Sequence, residues 1–293
     1  MTSTLDRESG RRSWRRFLLP VLLAWMGWAG GACRAEETNS MPKLWFPIGE
    51  SMTYTIYWGF IPVGLGVVTN EWVEEDGRKL LAIRIRTRTN KVVEKIYPVD
   101  DMIESIIDPE TFLPLRFTKK LSEGRYRCHQ RTTFDHKNLT ARWEALDEGD
   151  DREETFPIET NTCDIISLMY TIRKDKIRAG ESKKYRVMAD EKMYDLDTRT
   201  GKKERLDFDR YGKVDCVVFE PDAKFGGLFV RKGRMWIWVS DDDRYLCAKI
   251  SAQIPVASVN IELNEVFGPG SDHWTKPLIK PERTPDNLDQ MYD

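Results

Sequence analysis

Three histidines, His129, His136 and His273, are the side chains in this sequence whose ordinary proton affinity best suits acid–base work near neutral pH. Their company does not recruit them. His129 stands between Arg127 and Arg131 on the polar side of an alternating segment, His136 sits in the turn-like run Asp135-His136-Lys137-Asn138, and His273 lies in a proline-punctuated tail. No nucleophile elbow, zinc-protease helix or phosphate-cradling glycine loop accompanies them. Four carboxylates, Glu50, Asp101, Glu104 and Asp164, fall in segments of ordered character, and two of them held roughly 5 to 10 Å apart would equip a glycoside hydrolase. Read singly, Glu50 beside Gly49 is an ion-pairing or turn residue, and Asp164 is an acid suited to a helix N-terminus. Ser240-Asp241-Asp242-Asp243 offers oxygens to a hard cation, yet it lacks the alternate spacing and bending glycine of calcium loops, so a hairpin turn is the plainer reading. No catalytic residue, metal site or cofactor is expected.

Cysteine and aromatic residues carry the remaining chemistry. Cys33 falls in a leader described below, which leaves Cys128, Cys163, Cys216 and Cys247, an even set with no zinc spacing. Cys216 and Cys247 both lie in alternating C-terminal segments, so a Cys216–Cys247 bridge is the favoured pairing in an oxidising compartment, the alternative being four buried thiols. Tyr54, Trp58, Phe60 and Trp72 in a first hairpin, and Trp236 and Trp238 near the end, supply large apolar surface at strand spacing. In an open barrel they would line a cavity for an acyl chain or other amphiphile, and in a filled one they would be core.

The elements that must position these groups are mostly strands. Met52, Tyr54, Ile56 and Trp58 alternate with Ser51, Thr53, Thr55 and Tyr57; Leu81, Ile83 and Ile85 alternate with Arg84, Arg86 and Arg88; Met235, Ile237 and Val239 alternate with Trp236 and Trp238. This period of two predicts a mainly β protein with an antiparallel sheet. Turn chemistry at Glu75-Asp76-Gly77-Arg78, Asp108-Pro109-Glu110-Thr111, Asp135-His136-Lys137-Asn138, Arg199-Thr200-Gly201-Lys202 and Asp241-Asp242-Asp243-Arg244 predicts sequential hairpins. One main helix is expected over residues 164–174, bounded by Asp164 and Lys174. Ile165, Leu168, Met169 and Ile172 fall at i, i+3, i+4 and i+7 after Thr162 as N-cap. A short helical piece is expected over 92–96 and a loop over 146–154.

The N-terminus reads as an export signal. Arg7, Arg11, Arg12, Arg15 and Arg16 precede an uncharged apolar run over 17–29, and small residues then lead to Ala35, so cleavage leaves Glu36 first. Trp14-Arg15-Arg16-Phe17-Leu18-Leu19 also suits twin-arginine export, and Gly31-Ala32-Cys33 would, as a lipoprotein box, acylate Cys33. Removing 1–35 takes six arginines and two acids from 46 basic and 48 acidic residues, leaving 40 and 46, a net charge of −6. An acidic product without a basic block has no footprint for nucleic acid or anionic lipid. The mature chain is expected to be one β-rich domain over 36–267, followed by an extended or disordered tail over 268–293 with Pro269, Pro277, Pro281 and Pro285.

Three stretches are similar to a known family. Gly49-Glu50-Ser51-Met52-Thr53-Tyr54 with Trp58-Gly59-Phe60-Ile61-Pro62-Val63-Gly64, Asp164-Ile165-Ile166-Ser167-Leu168-Met169-Tyr170 with Arg173, and Trp236-Ile237-Trp238-Val239-Ser240-Asp241-Asp242 resemble the bacterial envelope family catalogued as domain of unknown function 3108. The resemblance implies an exported β-rich protein whose sheet curls into a partly open barrel or half-barrel, and it carries over no catalytic residue. Cys247 departs from the proline usual after the Ser-Asp-Asp turn. Together these readings describe a non-catalytic periplasmic or outer-envelope protein. Its partners would be a lipid-like or other amphiphilic ligand or another envelope protein; the alternatives are a ligand-free scaffold or a carboxylate-dependent hydrolase.

Overall fold

A computed structural model describes residues 41–189, 192–221, 234–254 and 257–269 of this chain. The expected leader, with Cys33, the cut after Ala35 and Glu36, lies outside the described residues, as does the tail from 270 onward with His273.

All fifteen strands join one sheet: β1 (Ser51–Trp58), β2 (Ile61–Glu75), β3 (Arg78–Thr89), β4 (Asp100–Ile107), β5 (Pro114–Glu123), β6 (Tyr126–Asp135), β7 (Thr140–Ala145), β8 (Glu153–Pro157), β9 (Thr162–Cys163), β10 (Ser182–Ala189), β11 (Lys192–Phe208), β12 (Gly212–Pro221), β13 (Arg234–Ser240), β14 (Cys247–Ile254) and β15 (Ala257–Phe267). Among the described residues two helices interrupt them, α1 (Lys91–Glu94) and α2 (Ile165–Asp175). The antiparallel expectation holds except for β9, which runs parallel to β10. Four of the five expected turns join consecutive strands, as hairpins require. The Arg199–Lys202 turn is instead part of β11, whose pairing with β12 shifts register between Thr200 and Lys203, a bulge that lets one long strand continue.

Strand order shows why the sheet curls. From β1 the chain meanders outward to β8 at one edge, and the next strand, β9, starts the opposite edge. Only residues 158–161 lie between them. Five Cα steps reach no more than about 18 Å, so the two edges of a fifteen-stranded sheet must be brought face to face. No ladder joins them. The seam is packed by side chains, with Phe134, Ala141, Ile158 and Met188 forming a buried apolar cluster across it, and by an ion pair between Arg186 and Glu159.

The chain leaves β9 directly into α2, which the curl places inside. Asp164, not Thr162, caps the helix: its carboxylate accepts the Ser167 N–H at 2.7 Å while Ser167 Oγ accepts the Asp164 N–H at 2.9 Å. Thr162 serves the seam instead, with Oγ1 donating to the Glu159 carbonyl at 2.7 Å. Ser105 on β4 donates to the other Asp164 oxygen, so a capping acid also ties the helix start to the sheet. Burial pushes the Asp164 carboxyl above its usual range, and these hydrogen bonds oppose the shift.

Candidate functional site

α2 is buried on more than one face, as a helix enclosed by a sheet must be. Ile166 and Tyr170 pack into the largest apolar cluster with Leu81, Ile83, Ile107, Phe46 and Phe112. The Phe46 ring meets Tyr170 edge-on at 4.5 Å, and Trp45 stands 4.3 Å from Phe112 while its Nε1–H donates to the Tyr170 carbonyl at 2.8 Å. Trp45 and Phe46 precede the first strand, outside any periodic pattern, so nothing in their spacing signals this role.

A buried ion cluster fastens the helix end. Glu50 is fully buried; its carboxylate accepts Arg173 Nη1 at 2.8 Å and also binds Arg244, and Arg173 Nε donates to the Arg244 carbonyl at 3.2 Å. The Arg173 guanidinium lies over the Tyr170 ring at 4.9 Å and the Phe46 ring at 5.5 Å. This ties the entrance of β1, the last turn of α2 and the β13–β14 turn together. The ion-pairing reading of Glu50 is therefore specific: its partners lie 123 and 194 residues away.

Opposite that packed side lies an apolar cavity of about 90 Å³, partly open to the outside. Ile165, Leu168, Met169 and Ile172, the stripe expected from the sequence, form its helical wall. Leu196, Phe219, Ile237, Val239 and Ile250 of β11–β14, with Met52 and Tyr54 of β1, form its sheet wall. Ile165, Met169 and Ile172 are only half-buried because their face borders this space. Two polar groups at the boundary are engaged: Tyr54 Oη donates to the Cys247 carbonyl at 3.0 Å, and Arg173 is held by Glu50, whereas the buried Tyr170 hydroxyl, also in the lining, has no hydrogen-bond partner among the described residues. Burial pushes the Cys247 thiol up to about 12, so it stays protonated at neutral pH.

Of the six aromatic residues singled out from the sequence, only Tyr54 lines this cavity. Trp58 and Phe60 stand exposed at the β1–β2 turn. Trp72 is half-buried against the main core with the Lys79 ammonium 5.3 Å from its ring. Trp236 and Trp238 occupy the face of β13 opposite the cavity-lining Met235, Ile237 and Val239. There Arg234 covers Trp236 at 4.9 Å, while Trp238 Nε1 donates to Glu204 at 2.9 Å and holds that carboxyl below its ordinary range.

The expected Cys216–Cys247 bridge is absent: both cysteines are free, as are Cys128 and Cys163. Cys216 pairs with Ser240 and Cys247 with Val239, so β13 runs between the two thiols. Two strand spacings separate them by about 10 Å, beyond the reach of a disulfide.

The other candidate residues are placed apart. Asp242 accepts Ser240 Oγ at 2.9 Å and the Arg244 and Tyr245 N–H groups at 2.9 and 3.1 Å, which makes the aspartate run a turn. Glu104 pairs with Arg84 on β3, Asp101 accepts the Ser122 N–H at 2.8 Å, and Asp164 caps α2. His136 contacts the Pro114 carbonyl at 2.8 Å and stacks on Phe134. His129 is half-buried on β6. Among the described residues no three His, Cys, Asp or Glu side chains cluster to hold a metal.

Comparison with known proteins follows the same outline. The model of the family described as "Protein of unknown function (DUF3108)" matches residues 53–264. A search of curated proteins found no match. Among solved structures, the chain is similar to the beta-barrel-like protein of domain of unknown function DUF1849 from Brucella abortus. The TM-score is 0.50 and the identity 10%, over 75% of this chain and 97% of that one. At that identity the likeness is one of fold.

Proposed function

This chain belongs to the DUF3108 family, and we propose that it is an exported, non-catalytic protein of the bacterial envelope that holds the apolar chain of a lipid-like or other amphiphilic ligand. The observation that carries the reading is the cavity between the apolar stripe of α2 and the inner face of β11–β14, whose lining is almost wholly apolar. A hydrolase needs titratable groups converging on one cleft, and the buried carboxylates support other work: Glu50 is consumed by two arginines and Asp164 by its cap. The basic, apolar and small-residue sequence of the leader supports export with a cut after Ala35, which N-terminal sequencing of the mature protein tests by finding Glu36 first.

The modest cavity of about 90 Å³ favours a second reading, a scaffold without a ligand. Native mass spectrometry before and after organic extraction separates the two. The carrier reading expects an extractable mass excess on the protein purified from its own envelope. Apo mass alone, together with no binding of a fluorescent fatty acid, leaves the scaffold.

A further inference from the structure

Large apolar side chains stand exposed at few places among the described residues, and nearly all of those places share one rim of the sheet. Trp58, Phe60 and Ile61 form the β1–β2 turn, Val92 and Ile96 flank the end of α1, and Tyr126 closes the β5–β6 turn; Phe60 is 89% and Ile96 84% exposed. Register puts them together. Gly64 at the start of β2 pairs with Thr89 at the end of β3, Arg88 pairs with Asp100 at the start of β4, and Met102 pairs with Lys120 near the end of β5. Asn90 fastens α1 to β2 through the Pro62 carbonyl at 2.7 Å, and the Gly124 N–H joins the β5–β6 turn to the Pro98 carbonyl at 2.7 Å. Six adjacent strands make this rim about 24 Å wide.

The sequence has no basic block and predicts no footprint for anionic lipid, yet strand register gathers scattered lysines and arginines here, so that charge on the rim is mostly positive. Lys91, Lys95, Lys120, Arg125 and Arg127 are exposed there. Of the nearby acids, Asp100 is bonded to Arg86 and Arg88, Asp101 is buried on the Ser122 N–H with the half-buried Glu123 hydrogen-bonded to it, and Glu94 is exposed. Apolar tips projecting from turns, with lysines and arginines behind them, do not resemble a protein-binding patch, where lysine is depleted and apolar residues form a flat or concave centre. They match what lies in the headgroup layer of a bilayer.

The geometry points to this rim as a membrane-docking surface: Phe60, Ile61 and Ile96 enter the headgroup layer of a bilayer, and the surrounding lysines and arginines meet anionic phospholipid headgroups. This surface lies outside the cavity and does not depend on it. The test is flotation of the full mature chain with vesicles of phosphatidylethanolamine and phosphatidylglycerol, against vesicles of phosphatidylcholine. The wild type is expected to float with the anionic vesicles, less at high salt. A Phe60→Asp/Ile96→Asp double variant, which alters only exposed positions and should keep the wild-type melting temperature, is expected to lose roughly a hundredfold in partitioning, about one decade per side chain. An Ile237→Phe variant, which narrows the cavity, should float as the wild type does. The proposal is overturned if the wild type stays with the soluble fraction, if the double variant floats equally well, or if the wild type is a dimer that the double variant converts to monomer.

Discussion

On one side of α2, Ile166 and Tyr170 are sealed against Leu81, Ile83 and the Phe46 and Phe112 rings, whereas on the other Ile165, Met169 and Ile172 keep part of their surface towards an open apolar space. The same helix is core in one direction and cavity wall in the other. The reason is width. A sheet of fifteen strands encloses more than side chains alone can fill, and one helix of eleven residues makes up the deficit on only one side. The aromatic residues Trp45, Phe46 and Phe112 complete the packed side, and the strands β11–β14 face α2 without an equivalent filler.

Releasing the helix end should have the largest effect. Glu50→Ala leaves Arg173 and Arg244 buried without their carboxylate and is expected to cost about 3 to 5 kcal/mol, read by denaturant unfolding. A loss below about 1 kcal/mol would show that the cluster does not hold the helix.

Alanine substitutions on the two helix faces come next. Ile166→Ala removes a fully buried side chain and is expected to cost about 2 to 5 kcal/mol, whereas Met169→Ala, whose side chain already borders space, should cost less than about 1.5 kcal/mol. Equal losses would mean that the cavity is closed in solution.

Alkaline titration compares groups on both sides. Burial raises the Tyr170 hydroxyl, whose ring packs in the core and also edges the cavity, and the Cys247 thiol on the cavity's sheet wall, each to about 12 from ordinary values of 10.0 and 9.0. A raised folded-state value means that stability is fully present below the unfolded value and is lost as pH climbs through the folded one. The melting temperature is therefore expected to be flat with respect to these groups up to about pH 9 and to fall towards pH 12. In Cys247→Ala the part of that fall between about pH 9 and 10 should shrink. The smallest effect is expected from Ile237→Phe, which adds bulk to the cavity and should change stability by no more than about 1 kcal/mol while abolishing fatty-acid binding.

Local chemistry made the strands and most hairpins legible. Asp108 and Asp135 accept the N–H groups two and three residues on, as expected of turn aspartates, and the stripe of α2 emerged from its spacing. What pairs over long sequence distances was not legible. Nothing at residues 158–161 announces that they carry the chain between opposite edges of the sheet, and nothing near Arg173 names Glu50. The Cys216–Cys247 expectation failed because strand membership does not give strand order. Trp236 and Trp238 were ambiguous for a related reason: β13 is apolar on one face and aromatic on the other, and only the position of α2 decides which face looks inward.

Whether the unfilled side of α2 is a binding site is read out by methyl NMR of the mature protein titrated with dodecanoic acid. Shifts are expected at methyl groups lining the cavity, among them Leu168, Met169, Ile172 and Ile237, with Ile83, Ile107 and Ile166 on the packed side unmoved. No shift at these cavity methyl groups at saturating ligand, or shifts on the packed side alone, would contradict the proposed binding site.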